Sequence, residues 1–300
     1  MKSLLARIGE RRVVIADGAM GSLLIEHGLG PGAAPESLNL ARPDVLRDIT
    51  ARYIEAGAEI VHTNTFGGSP LKLAGHGLDE QTEEINRAAV LAVREAIGGD
   101  GLSSEVHTQY ISASVGPSGR TLVPYGDTEH DVVFESFQRQ VAALVAAGVD
   151  ALTIETMIDL AEARLAVEAA RSVSTSIPIM ATMTFDLLPR GAYTIMGNDI
   201  PTVTRTLLDA GADVVGSNCG NGSETMLVIA RAFRDATDAP LLFQPNAGLP
   251  RIEDGATVFD ETPEQMAARA PAFVDLGVSV LGGCCGTTPE HIRAIHAVIG

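Results

Sequence analysis

Ala210-Gly211-Ala212-Asp213-Val214-Val215-Gly216-Ser217-Asn218-Cys219-Gly220 decides the fold of this chain. The first glycine suits the left-handed turn that ends a helix, and an acidic residue then leads into an apolar strand that stops at a glycine-lined turn. Variants of this junction recur at Ala56-Gly57-Ala58-Glu59-Ile60, Ala147-Gly148-Val149-Asp150-Ala151 and Leu276-Gly277-Val278-Ser279-Val280, the last with a hydroxyl residue in place of the acidic one. Between these junctions lie further strands: Val13 to Ala16, Tyr110 to Val115, Pro178 to Phe185 and Leu241 to Phe243. Helical spacing follows each strand, opening near Pro43, Asp79, Val132, Leu160, Ile200, Glu224, Pro263 and Pro289. Strand–helix alternation predicts a parallel sheet. Eight repeats in 300 residues predict an α/β fold of one domain over residues 1–300, a (β/α)8 TIM barrel.

The four echoed junctions feed the second, fourth, sixth and eighth strands, whose far ends carry Asn64, Glu155, Cys219 and Cys284-Cys285. Barrel active sites sit at the C-terminal ends of the strands, so these scattered residues are expected at one mouth.

Composition narrows the function. A net charge of −17 argues against nucleic acid and anionic membranes as partners. The N-terminal residues 1–12 are too charged for a signal peptide, and no apolar run approaches a membrane span. Free thiols without an export signal point to the cytoplasm. Lysine occurs only at Lys2 and Lys72, which leaves Schiff-base chemistry almost no candidate nucleophile.

Three cysteines admit three readings. One is a small core side chain; another is a disulfide, which leaves one thiol over and is strained between sequence neighbours. The third is a metal site. All three cysteines follow apolar runs and stand in glycine-lined turns, and the barrel brings those turns together. That convergence favours Zn2+ on Cys219, Cys284 and Cys285, with a fourth position open as in catalytic sites. An electron-rich set of thiolates suits a fourth, exogenous thiol better than hydrolysis. Coordination would keep that thiol deprotonated at neutral pH, ready to attack an activated carbon such as a methyl group.

An amino-acid thiol needs further handles. Backbone N–H groups of Asp17-Gly18-Ala19-Met20 can cradle a carboxylate. Asp17 is either an ammonium ligand or a turn-forming residue, and Glu155 at a strand end is a second ammonium candidate. Asn64 and Asn218 either orient substrate or brace loops, with Asn218 leaning to the loop. His62, His76 and His107 have no ligand spacing and read as structural or surface residues. Thr182 to Phe185, with Arg190 to Tyr193 and Met196-Gly197, is expected as a loop at the mouth.

In order, DGAMG (17–21), HTNTFGG (62–68), IET (154–156), GSNCG (216–220), PNAG (245–248) and GGCCGT (282–287) resemble the homocysteine-binding zinc domain of the homocysteine S-methyltransferases. The likeness covers nearly the whole chain. It implies a (β/α)8 barrel, zinc on Cys219, Cys284 and Cys285, homocysteine held by the Asp17–Met20 turn and Glu155, and methionine as product. Pro35 to Leu40 and Thr63 to Phe66 are most similar to the N-terminal module of cobalamin-dependent methionine synthases. That resemblance implies Asn246 as a fourth ligand before homocysteine arrives. It also implies a methyl-corrinoid protein or methylcobalamin as donor. Betaine-dependent relatives carry a tyrosine after the glutamate and an aromatic cage; here Thr156 stands there, with no Trp and four Tyr in the chain. A small sulfonium donor, or a non-catalytic thiol-binding or corrinoid-binding module, is the alternative.

Overall fold

The computed structural model describes residues 2–10, 12–98, 109–253 and 256–300; His107 lies outside them. Its centre is an eight-stranded parallel sheet. The strands are β1 (Val14–Ile15), β2 (Ile60–His62), β3 (Tyr110–Val115), β4 (Ala151–Met157), β5 (Ile179–Met183), β6 (Val214–Gly222), β7 (Leu241–Asn246) and β8 (Val280–Leu281). Each from β2 onward pairs with its successor, and β8 returns to β1. The seam between β1 and β2 is joined by Glu59 N–H to Ile15 O (2.7 Å) and Asp17 N–H to Ile60 O (3.0 Å). The sheet is thus the barrel the alternation predicted.

Eight helices follow the strands: α1 (Pro43–Glu55), α2 (Thr82–Gly98), α3 (His130–Ala147), α4 (Leu160–Val173), α5 (Ile200–Ala210), α6 (Ser223–Ala236), α7 (Pro263–Asp275) and α8 (Pro289–Ile299). Their apolar spacing fixes which face turns inward. In α6, Met226, Ile229, Ala230 and Phe233 share one face and are buried. Phe233 meets Phe185 and Phe243 edge-on, with ring centroids 5.5 and 5.6 Å apart.

The echoed junctions work as expected. Gly57, Gly148, Gly211 and Gly277 all adopt positive φ, where a side chain would be strained. The acidic residue after the glycine then serves the neighbouring strand. Asp150 accepts from Ile111 N–H at 2.9 Å, and Asp213 from Ile179 N–H at 2.8 Å. Glu59 pairs with Arg7 at 2.8 Å, docking the short helix Leu4–Ile8. That helix was not foreseen. Leu4 and Ile8 pack against Val14, Tyr110, Ala151 and Val280 in one buried cluster inside the barrel.

Alternation along the strands separates the two cores. Leu152, Ile154, Ile179, Ala181 and Val215 belong to the apolar layer shared with the helices. Ala151, Met180, Val214 and Leu242 belong to the interior cluster. Two or four residues further along the same faces, the interior becomes polar: His62, Ser112, Thr153, Asn218 and Gln244 are all buried.

Three boundaries differ from expectation. The fifth strand ends at Met183, and the expected mouth loop forms a hairpin of Asp186–Leu188 and Gly191–Tyr193. β6 runs on to Gly222, so Cys219 lies within the strand's irregular tail. Short helices, Gly21–Glu26 and Leu38–Ala41 among them, precede α1.

Candidate metal and substrate site

Cys219, Cys284 and Cys285 converge at the C-terminal mouth, and their sulfurs all lie within 4.8 Å of one another. Cys219 Sγ and Cys285 Sγ are 3.8 Å apart. A tetrahedral zinc with Zn–S bonds of about 2.3 Å requires sulfurs about 3.8 Å apart, so the spacing fits. Cys219 and Cys284 are half-buried and Cys285 is exposed. The neighbouring thiols hydrogen-bond to Cys219 and hold its pKa down to about 3, while Cys285 is pushed up to about 11. The three sulfurs therefore titrate as one set.

Local geometry explains why the sulfurs meet. Cys219 has φ 60 and is followed by Gly220 at φ 74, two consecutive left-handed residues that turn the chain back over the mouth. Just after β8, Gly283 has room only for hydrogen, since a Cβ would stand 2.4 Å from Thr287 Oγ1. Gly18 is confined by the same hydroxyl at 2.5 Å. Thr287 thus pins the Asp17–Met20 turn to the cysteine loop, accepting from Ala19 N–H (3.1 Å) and donating to Cys284 O (2.7 Å).

Asn246 is buried on β7, its Oδ1 has no partner, and its side chain is in hydrogen-bonding contact with Cys219. An orphaned carboxamide oxygen beside three sulfurs suits a fourth ligand to the same ion.

Beside the sulfurs lies a cavity of about 260 Å³, lined among others by Gly18, Ala19, Met20, Asn64, Glu155 and the three cysteines. Glu155 is half-buried, and Ser114 donates its hydroxyl to Glu155 Oε1. Burial pushes the Glu155 carboxyl up, partly offset by the His62 charge and the Ser114 hydrogen bond. Gly18, Ala19 and Met20 line the cavity as expected of a cradle, with the Ala19 N–H already given to Thr287.

Asp17 departs from the expected ammonium role. It is 3% exposed and absent from the cavity lining. Both of its oxygens are taken by His62: Oδ2 accepts the backbone N–H at 2.7 Å and Oδ1 faces Nδ1 at 2.6 Å. The physical reason is register, because Ala16, just beyond β1, bridges to Ile60 and sets His62 beside Asp17.

Asn64 braces loops: its Nδ2 donates to Pro35 O and Asn39 Oδ1, each at 2.8 Å. His76 is exposed.

Sequence reasoning missed four residues. His62, expected as a structural or surface residue, is buried and also lines the cavity, and its Nε2 lies 3.0 Å from Thr153 Oγ1. Burial alone would lower its pKa, but the charge and hydrogen bond of Asp17 outweigh that and raise it. Asn218 is a junction rather than a loop brace. Its Oδ1 accepts from Thr156 N–H (2.7 Å) and the Thr182 hydroxyl (2.8 Å). Its Nδ2 faces Thr156 Oγ1, Glu155 Oε2 (3.3 Å) and Cys284 Sγ (3.6 Å). Gln244 lines the cavity with its buried Oε1 unpartnered. Glu36, also in the lining, accepts from Gly67 N–H at 2.6 Å. Period-two counting from Asn64 and from Asn246 would have placed His62 and Gln244 inside the barrel; counting from Cys219 would have put Asn218 on the other face, and nothing local marks Glu36.

The chain is similar to several characterised proteins. The homocysteine S-methyltransferase family pattern matches residues 14–299. Methionine synthase of Mycobacterium leprae (strain TN) is 33% identical over 301 residues, which cover 96% of this chain and 24% of that protein. Methionine synthase of Mycobacterium tuberculosis (strain ATCC 25618 / H37Rv) is 31% identical over 300 residues, 96% of this chain and 25% of that protein. The chain therefore spans about a quarter of the length of these relatives. Among solved structures, the homocysteine methyltransferase MmuM from Escherichia coli shares the fold. Its oxidized form superposes with a TM-score of 0.81 at 23% identity, covering 99% of both chains. The metallated form of MmuM gives 0.79 at 23% identity, covering 98% of this chain and 99% of that one. With the family pattern spanning nearly all of the barrel and its strand-end cysteines, this chain belongs to the homocysteine S-methyltransferase family.

Proposed function

We propose that this chain binds zinc through Cys219, Cys284 and Cys285, takes homocysteine into the adjoining cavity and transfers a methyl group to its sulfur, giving methionine. The carrying observation is the meeting of three sulfurs beside a cavity that Glu155 also lines. Zinc held there supplies the charge that keeps an incoming thiol deprotonated at neutral pH. Asn246, with its Oδ1 unpartnered and its side chain against Cys219, would be the fourth ligand in the absence of substrate.

The chain's own residues bind and orient the substrate. Glu155 accepts the ammonium, held in place by Ser114 and Asn218. The Gly18–Met20 turn faces the carboxylate. Asp17 acts through His62 rather than by touching the ammonium.

The donor we propose is a methyl-corrinoid protein or methylcobalamin. One observation weighs against a betaine-type donor. Among the described residues, Phe66 is the one Phe, Tyr or Trp in the cavity lining, too little for a cation–π cage. A carrier also has apolar surface to approach, since Leu187, Ile195, Leu249 and Ile252 are exposed on the segments that follow β5 and β7. Among the described residues, no helix is long and apolar enough to cross a membrane.

The test is metal content together with methionine formation from homocysteine and a panel of donors. About one zinc per chain and turnover with methylcobalamin are expected, with both lost in Cys219→Ser, Cys284→Ser and Cys285→Ser. Stoichiometric zinc on a triple-serine variant would overturn the metal assignment. Methionine from none of the donors would overturn the transferase assignment.

A further inference from the structure

We propose that Glu261 is a positioning residue for the metal centre: it clamps the segment carrying Cys219 to the loop carrying Cys285, and so sets how tightly the three sulfurs hold a metal ion. The proposal rests on the zinc assignment above and concerns a residue outside the sulfur set and outside the substrate cavity.

Cys219 needs such a clamp. A non-glycine residue at φ 60 costs about 1–3 kcal/mol and persists only where the chain on both sides is held. Upstream, Ser217 and Asn218 are paired into the barrel with Met183 and with Phe243 and Gln244. Downstream, the side-chain fastenings are Asn221 Nδ2 to Phe185 O at 2.7 Å and Glu261. Glu261 Oε2 accepts the Ser223 N–H at 2.9 Å, Oε1 accepts the Ser223 hydroxyl, and Arg269 Nη1 balances the charge from 3.0 Å. The approach depends on Gly222, where a Cβ would stand 2.8 Å from Glu261 Oε2.

The main chain of Glu261 reaches the other cysteines. Its N–H donates to Ala247 O (3.0 Å), and Ala247 N–H donates to Cys285 O (3.0 Å). Its carbonyl faces His291 Nε2 at 2.9 Å, while Thr288 N–H donates to His291 Nδ1 at 3.2 Å. That places the proton on Nε2 and ties the exit of the Cys284–Cys285 loop to the same residue. One residue therefore joins the Cys219 arm, the PNAG turn bearing Asn246, and the far end of the cysteine loop. Outer partners of this kind typically change metal affinity by about 10- to 100-fold when removed.

The alternative role, a stabilising cap between α6 and α7, predicts a change in melting temperature alone. Zinc affinity of the full chain, measured by chelator competition, separates the two, with the melting temperature of the metal-free protein followed in parallel. Cobalt substitution supplies a second readout, because the intensity of its sulfur charge-transfer band reports the number of bound thiolates. Glu261→Ala should weaken zinc binding about 10- to 100-fold and reduce the cobalt band. Glu261→Gln, which keeps an acceptor for Ser223 N–H, should restore most of both. Zinc affinity within twofold of the unaltered chain in Glu261→Ala, whatever its melting temperature, would overturn the proposal. Should Glu261→Ala not fold, Ser223→Ala removes one arm of the clamp. It should weaken zinc about fivefold, the worth of one hydrogen bond, and unchanged affinity there would be equally fatal. Failure of the unaltered chain to bind zinc would instead sink the metal assignment beneath.

Discussion

His62 Nδ1 lies 2.6 Å from Asp17 Oδ1, and both side chains are buried, with His62 forming part of the cavity wall. When protonated, His62 places a positive charge beside a cavity whose other ionisable wall groups, Glu155, Glu36 and the cysteines, carry negative charge when ionised. Removing one member of a buried pair strands the other, which costs about 3–5 kcal/mol. His62→Ala should therefore lower unfolding free energy by about that amount at pH 6. The sign with pH follows from the raised His62 pKa. The charge contribution is fully present below the unfolded value of about 6.5 and is lost as pH rises through the folded value. Denaturant unfolding at pH 6 and at pH 9 should show the gap between the two proteins narrowing at the higher pH. An equal gap at both would mean that packing, not charge, is what the histidine contributes.

Glu155 should govern substrate affinity more than turnover. A charge-assisted hydrogen bond contributes about 1.5–3 kcal/mol, so Glu155→Gln should raise KM for homocysteine about 10- to 100-fold with a smaller change in kcat. Because burial raises the Glu155 pKa, ammonium binding is present above that value and fades as pH falls through it. The unaltered chain should show KM climbing on the acid side, and Glu155→Gln should flatten that limb. A variant whose KM keeps the same acid limb would show that another group is titrating.

Asn218 joins three parts of the site, Glu155, Thr156 and Cys284. Thr156 is held at φ 58, and Asn218 Oδ1 takes its N–H. Asn218→Ala should lower kcat/KM by at least about tenfold while leaving zinc content near one, since the sulfurs themselves remain. Steady-state rates and metal analysis on the same preparation check both halves. Loss of zinc together with rate would show that the Cys284 contact dominates instead.

Gly216 tests the barrel itself. A Cβ there would stand 1.8 Å from Leu242 O, a backbone atom of the paired strand that has nowhere to go. Gly216→Ala should destabilise by about 3 kcal/mol or more, read as a lower denaturation midpoint. A midpoint unchanged within error would mean that β6 and β7 separate more easily than this packing allows.

Much of this molecule was legible in one dimension. The Ala-Gly-x-acidic junctions predicted the parallel barrel, and each junction glycine does take a left-handed conformation. The cysteines, read only as residues at strand ends, do meet at the mouth. Strand ends and caps are local matters, set by backbone sterics and by which residues tolerate positive φ, so sequence periodicity carries them.

Asp17, His62, Asn218 and Glu261 were not legible in the same way. Asp17 looked like a substrate handle and proves to be bound to His62; Asn218 looked like a loop brace and proves to be the junction of the site. Asp17 and His62 are 45 positions apart in the chain, Glu155 and Asn218 63, and Ser223 and Glu261 38. Their meeting depends on the register with which neighbouring strands pair and on barrel closure. The amino-acid sequence by itself determined the architecture and the sulfur set, because those follow from local conformation and the barrel's polarity. Which carboxylate faces the cavity, and which is already paired, was decided only by tertiary structure, because a hydrogen bond needs its partner within about 3 Å and only the closed barrel sets that distance.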